Sequence, residues 1–336
     1  MKIVVPKETY PLEKRVMVLP SSAKEFVNAG HQVFVQSGAA EGIMVQDTEY
    51  KRAGATIISE PRTLYELADM TIKVKAPSPE EFSLMHKGLL FCMLHIGQNK
   101  ERLFYMASQR LLGIAMEDIR DAKGKRLVDQ THVTGEAGVY YALRHFERMP
   151  YDMQAVILGY GNVATGAITA CSKLGISYKI MRRSEFKHLP KWLQEADLLI
   201  NAVTWPENKR KSHEYLVTRE MIKNSKPGMI VLDLAVDFPN PVETVHQTDY
   251  SNPYYLEEDH VHISIYGYPG LVPISSSQIY NRQVLPLALA IANNKGLRGI
   301  GNVPEVGKFI HDAIIDPKKY GWQRYKPEEL KTSKIE

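Results

Sequence analysis

Four polar residues are candidate functional groups, because each lies in the first loop or at the end of a predicted strand. They are Arg15, Lys75, His95 and Asp237. An arginine grips a carboxylate through two parallel hydrogen bonds, and a histidine titrates close to neutral pH. Ligands of open α/β sheets bind beyond the carboxyl ends of the strands, so these residues can converge on one crevice. Taken singly, each is equally compatible with a surface role.

A glycine turn at residues 159–164, Gly-Tyr-Gly-Asn-Val-Ala, follows a strand-like run at 155–158 and precedes a helical pattern at 163–174. The first glycine permits a tight turn, the second lets the backbone approach a pyrophosphate, and the alanine fills the third small position. The helix start adds N–H groups and a positive dipole for the phosphates. The motif predicts a dinucleotide site whose cofactor-binding residues are Gly159, Gly161, Asn162 and Val163, to which we add Ala202 after the strand at 198–200.

The end of the next predicted strand, 177–181, indicates which dinucleotide binds. Enzymes that use NAD usually place an acidic residue there, about 20 residues beyond the glycines, to bind the ribose diol. Here the strand is followed by Arg182, Arg183 and Ser184, and the first carboxylate is Glu185. Two guanidinium groups and a hydroxyl suit a 2′-phosphate, so the sequence favours NADP(H) over NAD(H). The alternative is a solvated basic strand end.

The strands and helices that must position these residues alternate along the whole chain. Such alternation is typical of parallel sheets with helices on both faces. The predicted fold class is therefore α/β, with two Rossmann-like domains, parallel sheets and an active-site crevice between the domains. The first series of predicted strands covers 3–5, 33–35, 71–74, 89–94 and 113–116, and the second covers 155–158, 177–181, 198–200, 229–232 and 261–266.

Two helical patterns indicate where the domains begin and end. A helix predicted over about 131–148 leads from the first series of strands to the second. A late apolar helix at 275–293 follows the second sheet, and we infer that the chain returns there to the first domain. We therefore predict a discontinuous substrate domain and a dinucleotide-binding Rossmann domain, comprising 1–125 plus 275–336 and 126–274 respectively.

Composition excludes several classes of protein. A chain of 336 residues is long for one core, and its net charge of +4 is small and spread out, which argues against a nucleic-acid partner. The apolar runs at 88–94 and 284–292 are shorter than the roughly 20 residues that span a bilayer. Without a signal peptide at the start, we expect a soluble, cytoplasmic protein with no membrane partner. Cys92 and Cys171 lie among apolar neighbours, so we expect reduced core thiols and no metal site.

The order of these residues resembles that of the alanine dehydrogenase and transhydrogenase N-terminal family over nearly the whole chain. The resemblance rests on Arg15, the Lys73-Val74-Lys75 run, Leu94-His95, the glycine turn and Asp237. Within that family, several stretches are most similar to the carboxyethyl-ornithine synthases, which reductively join pyruvate to an amino-acid side-chain amine with NADPH. These stretches are 134–138, 149–151, 157–163 and 251–255.

The resemblance implies a role for each candidate residue. Arg15 and Lys75 would hold the carboxylate and the carbonyl of a 2-oxo acid. His95 would donate and accept the proton at that carbonyl or its amine, and Asp237 would lie beside the nicotinamide and the amine. Thr134 would donate its hydroxyl to the cofactor phosphates.

The sequence differs from the alanine dehydrogenases at one loop position, and the difference bears on which amine the enzyme uses. Their loop carries an asparagine beside the nicotinamide, and Gly267 takes that place here in the stretch 266–273. The substitution leaves room for an amine bulkier than ammonia. We therefore predict an NADPH-dependent condensation of pyruvate with ornithine or lysine, or its reverse. The alternatives are an alanine dehydrogenase, which uses ammonia, and a dinucleotide-binding regulator that has lost catalysis.

The sequence also leaves the assembly open. We expect a homo-oligomer, a dimer or larger, in which the late helix at 275–293 provides a plausible contact surface. A helix buried within its own subunit accounts for the same apolar pattern equally well. Small-molecule substrates, a 2-oxo acid and an amine, are the remaining partners.

Overall fold

The computed structural model describes residues 1–297 and 304–327. They form two compact units. The first comprises Met1–Asp129 together with the described residues from Pro273 onward, and the second is Gln130–Val272.

In chain order the strands are β1 (Lys2–Val5), β2 (Gln32–Gln36), β3 (Thr56–Ile58), β4 (Met70–Lys75), β5 (Gly88–Met93), β6 (Leu111–Ala115), β7 (Gln154–Leu158), β8 (Ser177–Met181), β9 (Leu198–Asn201), β10 (Ile230–Asp233), β11 (Tyr255–Glu257), β12 (His260–Ile263) and β13 (Ile314–Ile315).

The helices lie between these strands. In chain order they are α1 (Pro20–Asn28), α2 (Asp47–Arg52), α3 (Pro61–Glu66), α4 (Pro79–Leu84), α5 (Glu101–Ser108), α6 (Thr131–Ala142), α7 (Asn162–Leu174), α8 (Leu189–Leu193), α9 (Glu207–Lys211), α10 (Arg219–Lys223), α11 (Pro273–Asn293) and α12 (Pro304–His311). No helix in the described part of the chain is long and apolar enough to span a membrane.

The sheet of the first unit has the order β13-β6-β5-β4-β1-β2-β3 in the part of the chain that the structure describes. All pairs are parallel except β13 with β6. The chain builds outward from β1 to β3 and then returns to place β4 on the other side of β1. This reversal makes the carboxyl ends of β1 and β4 a topological switch point, where open α/β sheets bind their ligands.

The late helix α11 belongs to the hydrophobic core of the first unit. Val284, Leu287 and Ile291 are buried and pack in the same cluster as Ile3 and Phe91 of the central strands. Burial of these aliphatic side chains is the main force that holds a helix against a sheet. The apolar pattern of 275–293 therefore reflects packing within the subunit.

The second unit contains a sheet of order β11-β12-β10-β9-β7-β8. Its strands are parallel except for the β11–β12 pair. After β8 the chain crosses to the other side of β7 to form β9, so the switch point of this sheet lies at the carboxyl end of β7. The glycine turn follows β7 directly, which is the position of the cofactor turn in dinucleotide-binding folds.

The prediction of two mainly parallel α/β sheets is confirmed, and the main differences concern short elements. The strands β3, β11 and β13 were not predicted; each spans only two or three residues. The helix predicted over 131–148 is too long, because α6 ends at Ala142 and a 3₁₀ turn follows. Met149 has an extended backbone, as expected for the residue before a proline.

Candidate functional site

Arg15 is buried in the loop after β1 and forms a bidentate ion pair with Glu13. Its Nε donates to Oε1 of Glu13 at 2.7 Å, and Nη2 donates to Oε2 at 2.6 Å. Burial raises the pKa of the Glu13 carboxyl, but the hydrogen bonds from Arg15 outweigh burial and the pKa lies below its ordinary value. One edge of the guanidinium is thus fixed on Glu13, while the Nη1–Nη2 edge has the fork geometry that matches a carboxylate.

The loop that carries Arg15 is held by α11. Ser277 Oγ accepts the backbone N–H of Val16 at 3.0 Å, and Asn281 Oδ1 accepts that of Leu19 at 2.7 Å. On the same helix, the ring centroid of Tyr280 lies 5.7 Å from the Arg15 guanidinium carbon. A helix from the far end of the sequence therefore fixes the position of a candidate residue near its start.

Lys75 ends β4 at the switch point of the first sheet. Its Nζ lies 4.7 Å from the ring centroid of Tyr10, within the range of a cation–π interaction. Burial, and next the positive charge of Arg15, lower the pKa of the Lys75 ammonium to about 8. The group is therefore a cation at neutral pH that loses its charge only slightly above it.

Glu8 positions the end of β4. Its carboxylate accepts the backbone N–H of Val74 at 2.5 Å and that of Lys75 at 3.2 Å. The register between β4 and β5 shifts between Ile72 and Lys75, and such an irregularity leaves N–H groups that need an acceptor outside the sheet. A side chain from the loop after β1 thus completes the backbone hydrogen bonds around Lys75.

His95 follows β5 in a left-handed backbone conformation, with φ at 42°. This conformation is uncommon for a residue with a side chain, and it persists only where neighbours hold it. The Glu117 carboxylate accepts the N–H groups of Leu94 at 3.1 Å and His95 at 2.5 Å. From α5, Nη1 of Arg102 donates to the carbonyl oxygens of Leu94 at 2.6 Å and His95 at 3.3 Å. The backbone of His95 is therefore clamped by a carboxylate and a guanidinium.

The imidazole of His95 is kept neutral by its surroundings. Burial, then the positive charges of Lys75, Arg102 and Arg126, lower its pKa to about 4. These charges also show that Lys75 and His95 lie within electrostatic range of one another in the first unit. The structure thus brings together Arg15, Lys75 and His95, all of them at the carboxyl ends of neighbouring strands or in the loops beyond them.

In the second unit the glycine turn has the backbone that a dinucleotide site needs. Gly159 has φ at +96°, and a Cβ there would lie 3.0 Å from the carbonyl oxygen of Ala202. Gly161 is exposed, with no atom within 4 Å of where its Cβ would be, and it precedes α7 directly. Asn162 and Val163 begin this helix, whose free N–H groups point outward. These residues fit a pyrophosphate.

Thr134 lies half-buried on α6, where its hydroxyl donates to the carbonyl oxygen of Gln130 at 3.1 Å. The helices α6 and α7 cross at two glycines: a Cβ on Gly135 would overlap the carbonyl oxygen of Val163, and one on Gly166 would overlap that of His132. Only hydrogen atoms fit at this crossing. The close contact fixes α7, and with it the helix start that follows the glycine turn.

Arg182 and Arg183 are exposed directly after β8, the strand next to β7. The guanidinium carbon of Arg182 lies 5.6 Å from the ring centroid of Tyr160, a residue of the glycine turn. Glu185 accepts the backbone N–H of Arg182, but its carboxylate pairs with Lys179 at 2.7 Å. The Arg182 side chain therefore lies beside the glycine turn, and Arg183 follows it directly in the chain.

Asp237 lies in a loop that is organised by a second aspartate, Asp233, at the end of β10. The buried Asp233 carboxylate accepts hydrogen bonds from Asn201 at 2.7 Å, Asn240 at 2.9 Å and Ser264 at 2.7 Å. It also accepts two backbone N–H groups of the loop, at residues 235 and 236. Burial raises the pKa of Asp237, an effect opposed by the charge of Arg210.

Two family models match the sequence. The model described as the alanine dehydrogenase/PNT N-terminal domain matches residues 4–132, and that described as the C-terminal domain matches 176–309. Among curated proteins, an alanine dehydrogenase of Bacillus subtilis is 31% identical and covers 90% of this chain and 88% of its own. The chain belongs to the alanine dehydrogenase/PNT family.

Other relatives of this family agree. An alanine dehydrogenase of Methanococcus maripaludis is 29% identical over 94% of this chain and 95% of its own. A solved structure of an L-alanine dehydrogenase, 26% identical, superposes with a TM-score of 0.85 over 98% of this chain and 99% of the other. A transhydrogenase from Sinorhizobium meliloti, 22% identical, has the same fold with a TM-score of 0.75 over 86% of this chain and 93% of the other.

Membership of the alanine dehydrogenase/PNT family makes the chain an oxidoreductase that binds a nicotinamide dinucleotide and acts on CH–NH donors. Its substrates are small molecules. Within the described residues, no group of three or more histidine, cysteine or acidic side chains is arranged to hold a metal ion. Cys92 and Cys171 are both buried free thiols.

The sequence analysis missed the residues that position the candidates. Glu8, Glu13, Glu117, Arg102 and Asp233 have no role in it, yet each forms short hydrogen bonds to a candidate residue or to the backbone that carries one. A usable signal existed for Glu117 and Asp233, because both are carboxylates directly after apolar strand-like runs. No comparable signal marks Arg102.

Proposed function

We propose that this enzyme reductively aminates a small 2-oxo acid such as pyruvate, or runs the reverse oxidative deamination. The observation that carries the proposal is the grouping of Lys75 and His95 with the buried Arg15–Glu13 pair at the switch point of the first sheet. A 2-oxo acid needs a cation for its carboxylate and a proton source for its carbonyl oxygen. This group of side chains offers both.

Because His95 is neutral in the free protein, substrate binding can control when its imidazole becomes protonated. In the free protein, Lys75 and Arg102 add to burial in holding the imidazole unprotonated. An anionic substrate bound by Arg15 and Lys75 offsets those positive charges, and so raises the pKa of His95 toward its ordinary range. His95 then gains a proton only when substrate is present. Once the amine has added to the carbonyl carbon, His95 can donate this proton to the resulting hydroxyl group, which leaves as water and gives the iminium ion that the hydride reduces.

The second unit supplies the dinucleotide site of the proposal. Gly159, Gly161 and the start of α7 would hold the pyrophosphate. The hydroxyl of Thr134 would turn from the Gln130 carbonyl oxygen to the phosphates as a further donor. The bound nicotinamide supplies or accepts the hydride, and the protein supplies orientation and charge. Asp237, with its raised pKa, would hold a hydrogen bond to the amine.

The relatives favour ammonia as the amine. The curated proteins of Bacillus subtilis and Methanococcus maripaludis both carry the name alanine dehydrogenase. An enzyme of that type forms alanine from pyruvate and ammonia. We take this reaction as the first candidate for the present chain.

A second candidate, in which an amino acid supplies the amine, rests on two local features. Gly267 has φ at 103°. The resemblance in sequence places it where the alanine dehydrogenases have an asparagine, which leaves room for a larger amine. Arg182 and Arg183 at the end of β8 suit the 2′-phosphate of NADP(H). Both features agree with an NADPH-dependent condensation of pyruvate with ornithine or lysine.

One set of assays tests the proposal. The purified protein is supplied with pyruvate and either NADPH or NADH, and cofactor oxidation is followed with ammonia, ornithine or lysine. Turnover with ammonia supports the first candidate, and turnover with a diamino acid and NADPH supports the second. Absence of turnover with every amine and both cofactors contradicts the proposed function.

A further inference from the structure

Asp237 lies beside an arginine of the same unit. Arg210 is on α9, and its Nη1 lies 4.0 Å from Oδ1 of Asp237. The side chains of Arg210 and Asp237 are 25% and 32% exposed, so both reach the surface of the same loop region while remaining largely covered. This pair belongs entirely to the second unit.

The two charges face each other without forming a hydrogen bond. A hydrogen-bonded guanidinium–carboxylate pair has N–O distances of about 2.7–2.9 Å, well below the separation here. The Nε of Arg210 is buried and has no hydrogen-bond partner among the described residues. Because this Nε is covered by protein, an incoming carboxylate would bind the remaining N–H groups of the guanidinium.

The neighbouring cation of α9 is engaged elsewhere. Nζ of Lys209 pairs with Glu214 at 3.1 Å and lies 4.9 Å from the ring centroid of Trp205. The indole N–H of Trp205 in turn donates to the carbonyl oxygen of Glu214 at 2.7 Å. These contacts fix the segment around α9. Arg210 is thus presented toward Asp237 on a held backbone.

We propose that Arg210 and Asp237 form a subsite for an amine substrate that carries a carboxylate, that is, an amino acid. The guanidinium binds the carboxylate of the amino acid, and Asp237 accepts a hydrogen bond from the amine that reacts with the 2-oxo acid. The inference rests on the proposed amination and names the chemical class of its amine. Ammonia and simple diamines would leave the guanidinium without its acceptor.

The chemistry of this subsite predicts that the enzyme discriminates strongly between amines that carry a carboxylate and amines that do not. A site built to hydrogen-bond one group of a substrate rejects an analogue without that group, because its own buried polar atoms then lack a partner. Losing one charge-assisted interaction of this kind changes kcat/KM by roughly 10- to 100-fold. L-Ornithine and 1,4-diaminobutane differ only in the carboxylate, so they form a matched pair of substrates.

The test compares these two amines with pyruvate and NADPH in the wild-type protein, in Arg210→Gln and in Arg210→Lys. We expect the wild type to prefer ornithine by roughly 10- to 100-fold in kcat/KM, mainly through KM, and Arg210→Gln to reduce the ratio to about one. Arg210→Lys should keep part of the preference. The control is Lys211→Gln, which removes the same charge from the same helix and should keep the wild-type ratio.

Equal use of the two amines by the wild type, or an unchanged ratio in Arg210→Gln, would overturn the subsite while leaving the amination intact. Turnover with ammonia but not with ornithine would also overturn it. If no amine supports turnover, the proposed function fails, and calorimetric titration of both amines into the NADP⁺-saturated protein decides the subsite alone. Tighter binding of ornithine that is lost in Arg210→Gln supports it, and equal or absent binding of the two amines overturns it.

Discussion

The carboxylate of Glu117 accepts the backbone N–H of His95 at 2.5 Å, and the same Oε1 lies 3.8 Å from Nδ1 of the His95 ring. The contact holds a residue whose φ of 42° would otherwise be unfavourable. Burial raises the pKa of Glu117, and the hydrogen bonds that it accepts from the backbone of His95 and Leu94 oppose this effect. We therefore regard Glu117 as a positioning residue for His95.

Replacing Glu117 by glutamine should lower activity without removing any group that touches substrate. One of the two acceptor oxygens becomes an NH₂ group, which leaves a backbone N–H of the His95 turn unsatisfied at a cost of about 1–3 kcal/mol. We expect kcat/KM for the 2-oxo acid to fall roughly 10- to 100-fold, with a shifted acid limb of the pH profile. Asp118→Asn, at the exposed neighbouring position, should keep the wild-type profile. An unaltered profile in Glu117→Gln would assign it no positioning role.

Lys75 should set the alkaline limit of 2-oxo acid binding. Its pKa is lowered to about 8, so the cation is present below that pH and is lost as the pH rises through it. KM for the 2-oxo acid should therefore rise above about pH 8. Arginine stays protonated throughout this range, so KM for the 2-oxo acid should rise much less with pH in Lys75→Arg, even if the kcat of this variant is lower. The measurement is KM from pH 6.5 to 9.5, and an identical rise in both proteins would rule out Lys75 as the titrating group.

Substitutions at two glycines near α7 should have different effects: one should disturb helix packing and the other cofactor binding. A methyl group at Gly166 would overlap the carbonyl oxygen of His132, so Gly166→Ala should destabilise the protein by about 1–3 kcal/mol. A methyl group at Gly161 meets no protein atom within 4 Å, so Gly161→Ala should change stability by less than about 1 kcal/mol. It should nevertheless weaken dinucleotide binding at least about tenfold, because the pyrophosphate approaches the backbone there.

Thermal unfolding and fluorescence titration with NADPH measure these two effects. The expected pattern is a lowered Tm for Gly166→Ala and a raised Kd for Gly161→Ala. Wild-type affinity in Gly161→Ala would mean that the dinucleotide does not approach this turn.

The basic end of β8 should determine cofactor choice. Replacing both Arg182 and Arg183 by glutamine removes two guanidinium groups. The fold should stay intact, because both side chains are exposed. We expect KM for NADPH to rise roughly 10- to 100-fold and KM for NADH to change little. Lys187→Gln, an exposed cation in the following 3₁₀ helix, serves as the control. If the ratio of the two KM values does not change in the double variant, the arginines are a solvated strand end.

Much of the fold could be predicted because the central strands are runs of buried aliphatic residues between helical patterns. Strands such as β1 and β7 are covered on both faces, so their apolar character is continuous and visible in the sequence. The edge strands β3, β11 and β13 lack this signal, since they are short and only partly buried. The end of α6 was missed because no glycine or proline follows Ala142 in the 3₁₀ turn at Leu143–His145, so the sequence lacks the usual stop signal.

The candidate site was less visible than the fold. Residue type and strand position were sufficient to propose Lys75 and His95, and the structure shows that they interact electrostatically. The clamp on His95 depends on Arg102 and Glu117, which lie 7 and 22 residues away in sequence. Arg15 is held by α11, more than 250 residues along the chain. Such contacts are set by tertiary packing, so they cannot be inferred from one sequence alone.

The most direct test of the proposed amination is to follow the hydride itself. Wild-type protein and His95→Gln are incubated with pyruvate, NADPH or NADH deuterated at the transferable position, and ammonia, ornithine or lysine. We expect mass spectrometry to find one deuterium on C2 of alanine or of a carboxyethyl amino acid with the wild type, and a large loss of that product in His95→Gln. No deuterated amine product with any combination, or equal product from both proteins, would contradict the account.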